Sequence, residues 1–182
     1  TVVGDLVYLV TRDALAWAVR TDNGRVEWTL QGTPSPSGVV GGAAPAVNDR
    51  VAVFPFAGGE LVSALRSGGT RIWGSNVAGT RLGRVYARVS DISGDPVIDG
   101  DRVYTLGSEG DFRCLDLASG TLLWQRSFKT DFRAEVPIWG FCSHPFVDGE
   151  LIYCMVGGEG QCVVAFDKAT GEVRWRSLDA KA

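Results

Sequence analysis

The chain is 182 residues long, 45% hydrophobic and 21% charged, with 18 Lys and Arg set against 21 Asp and Glu. A single domain of that length buries a core without disulfide or metal staples, and the composition excludes a disordered chain. A net charge of −3 with Lys and Arg scattered singly excludes a basic nucleic-acid-binding stripe, and no run of about 18 apolar residues is present to insert into a membrane.

Thr1 to Val10 carries no basic n-region or cleavage site of a signal peptide. Glycine, 24 of 182, stands near twice its usual ~7% without a collagen period, which predicts many tight turns between short strands.

Internal repeats organise the chain. Trp28, Trp73, Trp124 and Trp175 lie 45, 51 and 51 residues apart, each four residues after a glycine: Gly24, Gly69, Gly120 and Gly171. The first unit opens at Thr1, with Gly4 in its first turn, and Gly4 aligns with Gly100 of the third unit. The second opens at Pro45, with Asn48-Asp49-Arg50 filling its turn one residue out of step.

The third unit is the clearest. Pro96 to Ile98, Val103 to Leu106, Phe112 to Leu115 and Leu122 to Trp124 alternate or run apolar, separated by turns at Asp99-Gly100-Asp101, Gly107 to Gly110 and Ala118-Ser119-Gly120. The fourth repeats it with Phe146-Val147, Leu151 to Val156, Cys162 to Phe166 and Val173 to Trp175. Period-two bursts broken by turn residues predict strands.

Units of about 45 residues with four short strands predict an all-β propeller, one domain over residues 1–182, with blades at about 1–31, 43–77, 94–128 and 143–178. The chain starts at an innermost strand and stops just after an outermost one, which leaves an apolar blade face uncovered at each end. Two copies around one axis would cover both, so the expectation is half of a larger ring closed as a homodimer; a monomer closed on itself as a four-bladed ring is the alternative.

Candidate chemistry is sparse, and no catalytic, cofactor-binding or metal-ligating residue is assigned. Cys114, Cys142, Cys154 and Cys162 form no CxxC pair and read as buried apolar side chains, with a Cys154–Cys162 disulfide across a hairpin as a second reading. The single histidine, His144, has no nucleophile motif around it, and Gly157-Gly158-Glu159-Gly160 lacks the Lys-Ser/Thr of a phosphate loop. Trp17 and Trp139 read first as core residues. Trp139, in the long connection Lys129 to Cys142, has the better claim to a binding surface.

Ala165, Asp167, Thr170, Gly171 and Trp175 match every fixed position of AxDxxTGxxxW, and this segment resembles the tryptophan-docking motif of PQQ-like, or quinoprotein-type, β-propeller repeats. Cys114 to Trp124 is similar, with Asp116, Ser119, Gly120 and Trp124 in place. Ala18 to Trp28 keeps Ala18, Gly24 and Trp28 but has Arg20 where Asp is expected, and Ser63 to Trp73, with Gly69, is the most worn copy. The resemblance implies that each indole packs against the neighbouring blade beside its glycine, and that the full ring has eight blades.

Gly41 to Asp99 is similar to the BamB family of the outer-membrane β-barrel assembly machinery, through Ala44 to Val47, Gly59 to Leu65 and Ser90 to Ile98. Beyond about Asp101 the chain is more similar to generic PQQ-like repeat proteins. A chimera of two propeller fragments and one divergent protein both fit that change.

The BamB resemblance implies a scaffold bound to an envelope protein, located in the periplasm or at the outer membrane. Its candidate binding loop is Arg84, Arg88, Asp91 and Asp95, together with Trp139. In the linker Pro34 to Gly42, Val39, Val40 and Gly41 stand where the family's Leu and Arg anchors are implied, which weakens that partner contact. The quinoprotein resemblance implies the other function, a dehydrogenase with adjacent cysteines, a tryptophan floor and calcium. No adjacent cysteines exist here, so no cofactor is expected.

Overall fold

A computed structural model describes residues 1–34, 42–77 and 92–179. These form four antiparallel sheets of four strands, each in chain order. The first holds β1 (Val2–Val3), β2 (Leu6–Val10), β3 (Leu15–Arg20) and β4 (Val26–Gln31); the second, β5 (Ala46–Val47), β6 (Val51–Phe56), β7 (Glu60–Leu65) and β8 (Arg71–Asn76). The third holds β9 (Val97–Asp99), β10 (Arg102–Leu106), β11 (Asp111–Asp116) and β12 (Leu122–Ser127); the fourth, β13 (Phe146–Asp148), β14 (Leu151–Met155), β15 (Val163–Asp167) and β16 (Val173–Ser177). The outer strands β12 and β16 run past their tryptophans to Ser127 and Ser177, further than the apolar pattern predicts, because the ladder continues through polar residues, of which Arg126 donates to the Gly171 carbonyl at 2.6 Å.

Successive sheets stack face to face. Tyr8, Ala16, Ala18 and Trp28 of the first meet Ala52, Phe54, Val62 and Ala64 of the second. Val53, Leu61 and Trp73 meet Val103 and Leu115 across the next junction. Tyr104, Phe112 and Cys114 meet Ile152, Cys154, Val164 and Phe166 across the third. All six residues of β6 are buried, since both faces of an inner sheet are covered.

The repeat carries a structural signature. A register slip follows the residue paired with each tryptophan, at Ala18/Val19, Ser63/Ala64, Cys114/Leu115 and Ala165/Phe166. A small residue opposite each indole leaves room for the ring, and the bulge turns it out of its own sheet.

The hairpin before each outer strand is capped by a side chain where the sequence has one to offer. The Asp167 carboxylate accepts the backbone N–H groups of Ala169 and Thr170, each at 2.9 Å, and Arg174 at 2.6 Å. Asp116 accepts the N–H of Ser119 at 2.8 Å. In the first sheet Asn23 takes over, accepting the Arg25 N–H at 2.9 Å, which frees Arg20 to pair with Asp22 and Asp5.

Because strands alternate in direction, the short hairpins at 4–5, 21–25, 66–70, 117–121 and 168–172 lie at one end of the arc. The described ends of the first two inter-sheet connections, at 32–34 with 42–45 and at 77 with 92–96, and the whole of the third, at 128–145, lie at the opposite end. The last connection begins with a four-residue helix, α1 (Phe128–Asp131), and buries Phe128 and Phe132 against Phe166, and Phe141 against Phe128.

Three expectations change. Cys142 is exposed, because it sits in the long connection after the buried Phe141. Cys154 pairs with Val164 in the ladder and Cys162 precedes β15, so the two thiols do not face each other and both are unpaired. Trp139 is 83% exposed on a turn outside the core.

Candidate interaction surfaces

Three junctions share one contact. The indole N–H of Trp28 donates to the Arg66 carbonyl at 2.9 Å, that of Trp73 to Leu117 at 2.7 Å, and that of Trp124 to Lys168 at 3.2 Å. In each case the ring lies over the glycine three residues beyond the acceptor: Gly69, Gly120 and Gly171. A Cβ at any of these would stand 2.6 Å from the indole. Each glycine also has a positive φ, about +70°, so the turn and the close approach both require the missing side chain.

The pattern stops at the ends of the arc. Trp175 is 43% exposed, against 8% for Trp28 and Trp73. Gly24 has the same φ of +70° but nothing within 4 Å of its Cβ position. On the outer face of the fourth sheet Phe146, Tyr153 and Trp175 form a continuous row, with ring centroids 6.2 and 5.6 Å apart. On the outer face of the first sheet Val7 pairs with Val19 and Leu9 with Trp17, all partly or largely exposed, so Trp17 lies on this face and not in a core. Among the described residues every hydrophobic cluster joins consecutive sheets, and none joins the fourth to the first.

The connection-bearing end offers a different surface. Ile138 and Trp139, 94% and 83% exposed, cap a turn closed by the Gly140 N–H donating to the Pro137 carbonyl at 2.9 Å. The turn is anchored below, where the Phe141 N–H donates to Ser108 at 3.0 Å and the Phe141 ring packs edge-on against Phe128. Asp95 lies at the same end, its carboxylate accepting the Ala44 N–H at 2.6 Å and facing His144 Nδ1 at 3.6 Å; those contacts tie the second, third and fourth sheets together. Arg84, Arg88 and Asp91 fall outside the described residues.

The thiols of Cys114 and Cys154 are shielded from solvent. Burial raises the Cys114 thiol to about 11 and pushes Cys154 up further, so neither is a thiolate near neutrality. Among the described residues no three His, Cys, Asp or Glu side chains converge.

The Asp167 carboxyl is held down to about 2, chiefly by Arg174 and then by the backbone N–H groups it accepts. A depressed folded-state value gives stability that is present above the unfolded value of about 3.9 and is lost as pH falls toward 2. In Asp167→Asn, the melting-temperature deficit relative to the parent is therefore expected to be full above about pH 4 and to close between about pH 4 and 2. A deficit independent of pH would contradict this assignment.

Four radially repeated four-stranded sheets, stacked by indoles and broken at both ends, define a β-propeller arc. The family model for the outer membrane protein assembly factor BamB matches residues 1–177, and the chain belongs to that family. The match spans both sides of residue 100. The BamB of Yersinia pestis is 30% identical over 180 residues, 98% of this chain and 42% of that protein. The crystal structure of BamB from Moraxella catarrhalis superposes with a TM-score of 0.75 at 19% identity, over 99% of this chain and 51% of that one. A quinohemoprotein alcohol dehydrogenase from Comamonas testosteroni also gives 0.75, at 17% identity, over 99% and 34%. This chain thus spans about half the length, or less, of the proteins it matches.

Proposed function

We propose that the chain is a non-enzymatic propeller scaffold of an envelope assembly complex, docking a protein partner at its connection-bearing end and completed to an eight-bladed ring by a second copy. Membership of the BamB family supports the interaction role. The observation that carries the docking end is the Ile138–Trp139 turn: two large apolar side chains held in solvent on a rigid base, where tryptophan is a common hot-spot type. That the chain covers 51% of the Moraxella BamB chain supports a ring of about twice this size.

The test of docking is a titration with the purified periplasmic domains of the outer-membrane barrel-assembly protein. Binding is expected, and Trp139→Ala is expected to weaken it by roughly thirtyfold or more without lowering the melting temperature. No binding, or binding unchanged by both Trp139→Ala and Ile138→Ser, would overturn the docking end.

A further inference from the structure

We infer that the arc is built to open at one seam, between its second and third sheets, with the Asp95 carboxylate as the latch. The ladder registers give each junction the same set of inward positions, and only this seam fills three of them with polar side chains. Ser63 stands opposite Trp73, where Ala18 and Cys114 stand opposite Trp28 and Trp124. Thr105 holds the place that Phe54 takes at the first junction and Cys154 at the third, and Arg113 holds that of Val62 and Val164.

Polar groups in such places need partners. Four buried side-chain polar atoms find none among the described residues, and three of them, Ser63 Oγ, Thr105 Oγ1 and Arg113 Nε, belong to this seam. Neither the first nor the third junction has one. Ser63 and Thr105 are 0% exposed, so each hydroxyl bears its desolvation cost while the seam is closed and regains hydrogen bonds to water when it opens.

Ring packing is also thinnest here. The first junction sets Trp28 edge-on to Phe54 at 5.8 Å, and the third buries six aromatic rings, with Phe112 and Phe166 5.4 Å apart. Trp73 is the single ring in the cluster at the second, and among the described residues no two rings meet across it. Fewer apolar contacts and unpartnered polar groups both make local opening easier at this seam than at its neighbours.

Two short hydrogen bonds cross the seam, at opposite ends of the arc. At the hairpin end the Trp73 indole N–H donates to the Leu117 carbonyl at 2.7 Å. At the connection-bearing end the Asp95 carboxylate, just before β9, accepts the N–H of Ala44, just before β5, at 2.6 Å. An ionised acceptor makes the stronger kind of hydrogen bond, whereas Arg113 adds only a 3.4 Å contact to the Asn76 carbonyl. Release of Asp95 therefore frees the connection-bearing end of the seam.

Thiol labelling of the 182-residue chain tests this device. Ser63→Cys and Thr105→Cys, made separately, place a thiol at the positions that Cys114 and Cys154 hold at the third junction, so each variant carries its own references. N-ethylmaleimide is applied under native conditions and modification is read by peptide mass spectrometry. Each rate is divided by that of the same thiol in the denatured chain, which removes differences in intrinsic reactivity. The seam thiols are expected to react at least about tenfold faster than Cys114 and Cys154. Asp95→Ala in the same chains should speed the seam thiols about tenfold further and leave Cys114 and Cys154 within about twofold of their rates.

Circular dichroism checks that each variant is folded, and either position alone decides. Ser63→Cys is the milder of the two, since a cysteine already stands opposite Trp124. Equal normalised rates at the two junctions would overturn the seam. A faster seam that Asp95→Ala leaves unchanged, or speeds no more than Cys114 and Cys154, would overturn the latch.

Discussion

Trp73→Ala is expected to cost about 3 to 5 kcal/mol of stability, while Trp139→Ala leaves it unchanged to within about 0.5 kcal/mol. The two residues are the same chemical type in opposite surroundings. Trp73 is 8% exposed, fills the junction between the second and third sheets beside Val53 and Leu115, and donates its N–H across that junction to Leu117. Truncation leaves a cavity the size of an indole and an unsatisfied carbonyl on the neighbouring sheet, two costs that add.

Trp139 touches solvent, so its removal costs neither. At roughly 2 to 4 °C per kcal/mol for a domain of this size, thermal denaturation should drop by about 10 °C in the first variant and barely move in the second. Equal shifts would mean that the junction indole carries no special weight.

Gly120→Ala is expected to destabilise by at least about 2 kcal/mol more than Gly100→Ala. Both positions hold a positive φ, +72° and +58°, so both variants incur the left-handed strain that an L-residue brings, about 1 kcal/mol or more. Only Gly120 has a ring above it, with a Cβ position 2.6 Å from the Trp73 indole; at Gly100 nothing lies within 4 Å. The difference should vanish in a Trp73→Ala background, because the added methyl then enters the space the indole has left. Chemical denaturation of the four variants reads this coupling. Additive costs would show that the glycine serves its turn alone.

The architecture was legible because it repeats. A glycine four residues before each tryptophan, recurring every 45 to 51 residues, marks a hairpin and an outer strand whatever fills the positions between. The sequence does not indicate which end of the arc holds each surface. Trp139 reads as core by composition, since an indole is usually buried, and only the turn at Pro137 to Gly140, raised on Phe141, places it in solvent.

Trp17 reads as core for the same reason. Its burial depends on whether a neighbouring blade exists, and that is decided between sheets and not along the strand. The Cys154–Cys162 reading failed on register: symmetry about residue 158 suggests a facing pair, but the ladder matches Cys154 with Val164. Asp95, singled out as part of a binding loop, proved to be tied to Ala44 and His144, a role that no local pattern signals.

Size-exclusion chromatography with light scattering, over a wide concentration range, tests most directly whether two such arcs complete one ring. The predicted result is a single species of twice the 19.5 kDa chain mass, giving way to monomer only at high dilution. A sharp 19.5 kDa species at every concentration would contradict it, and would mean that the faces carrying Trp175 and Gly24 are not closed by a second copy.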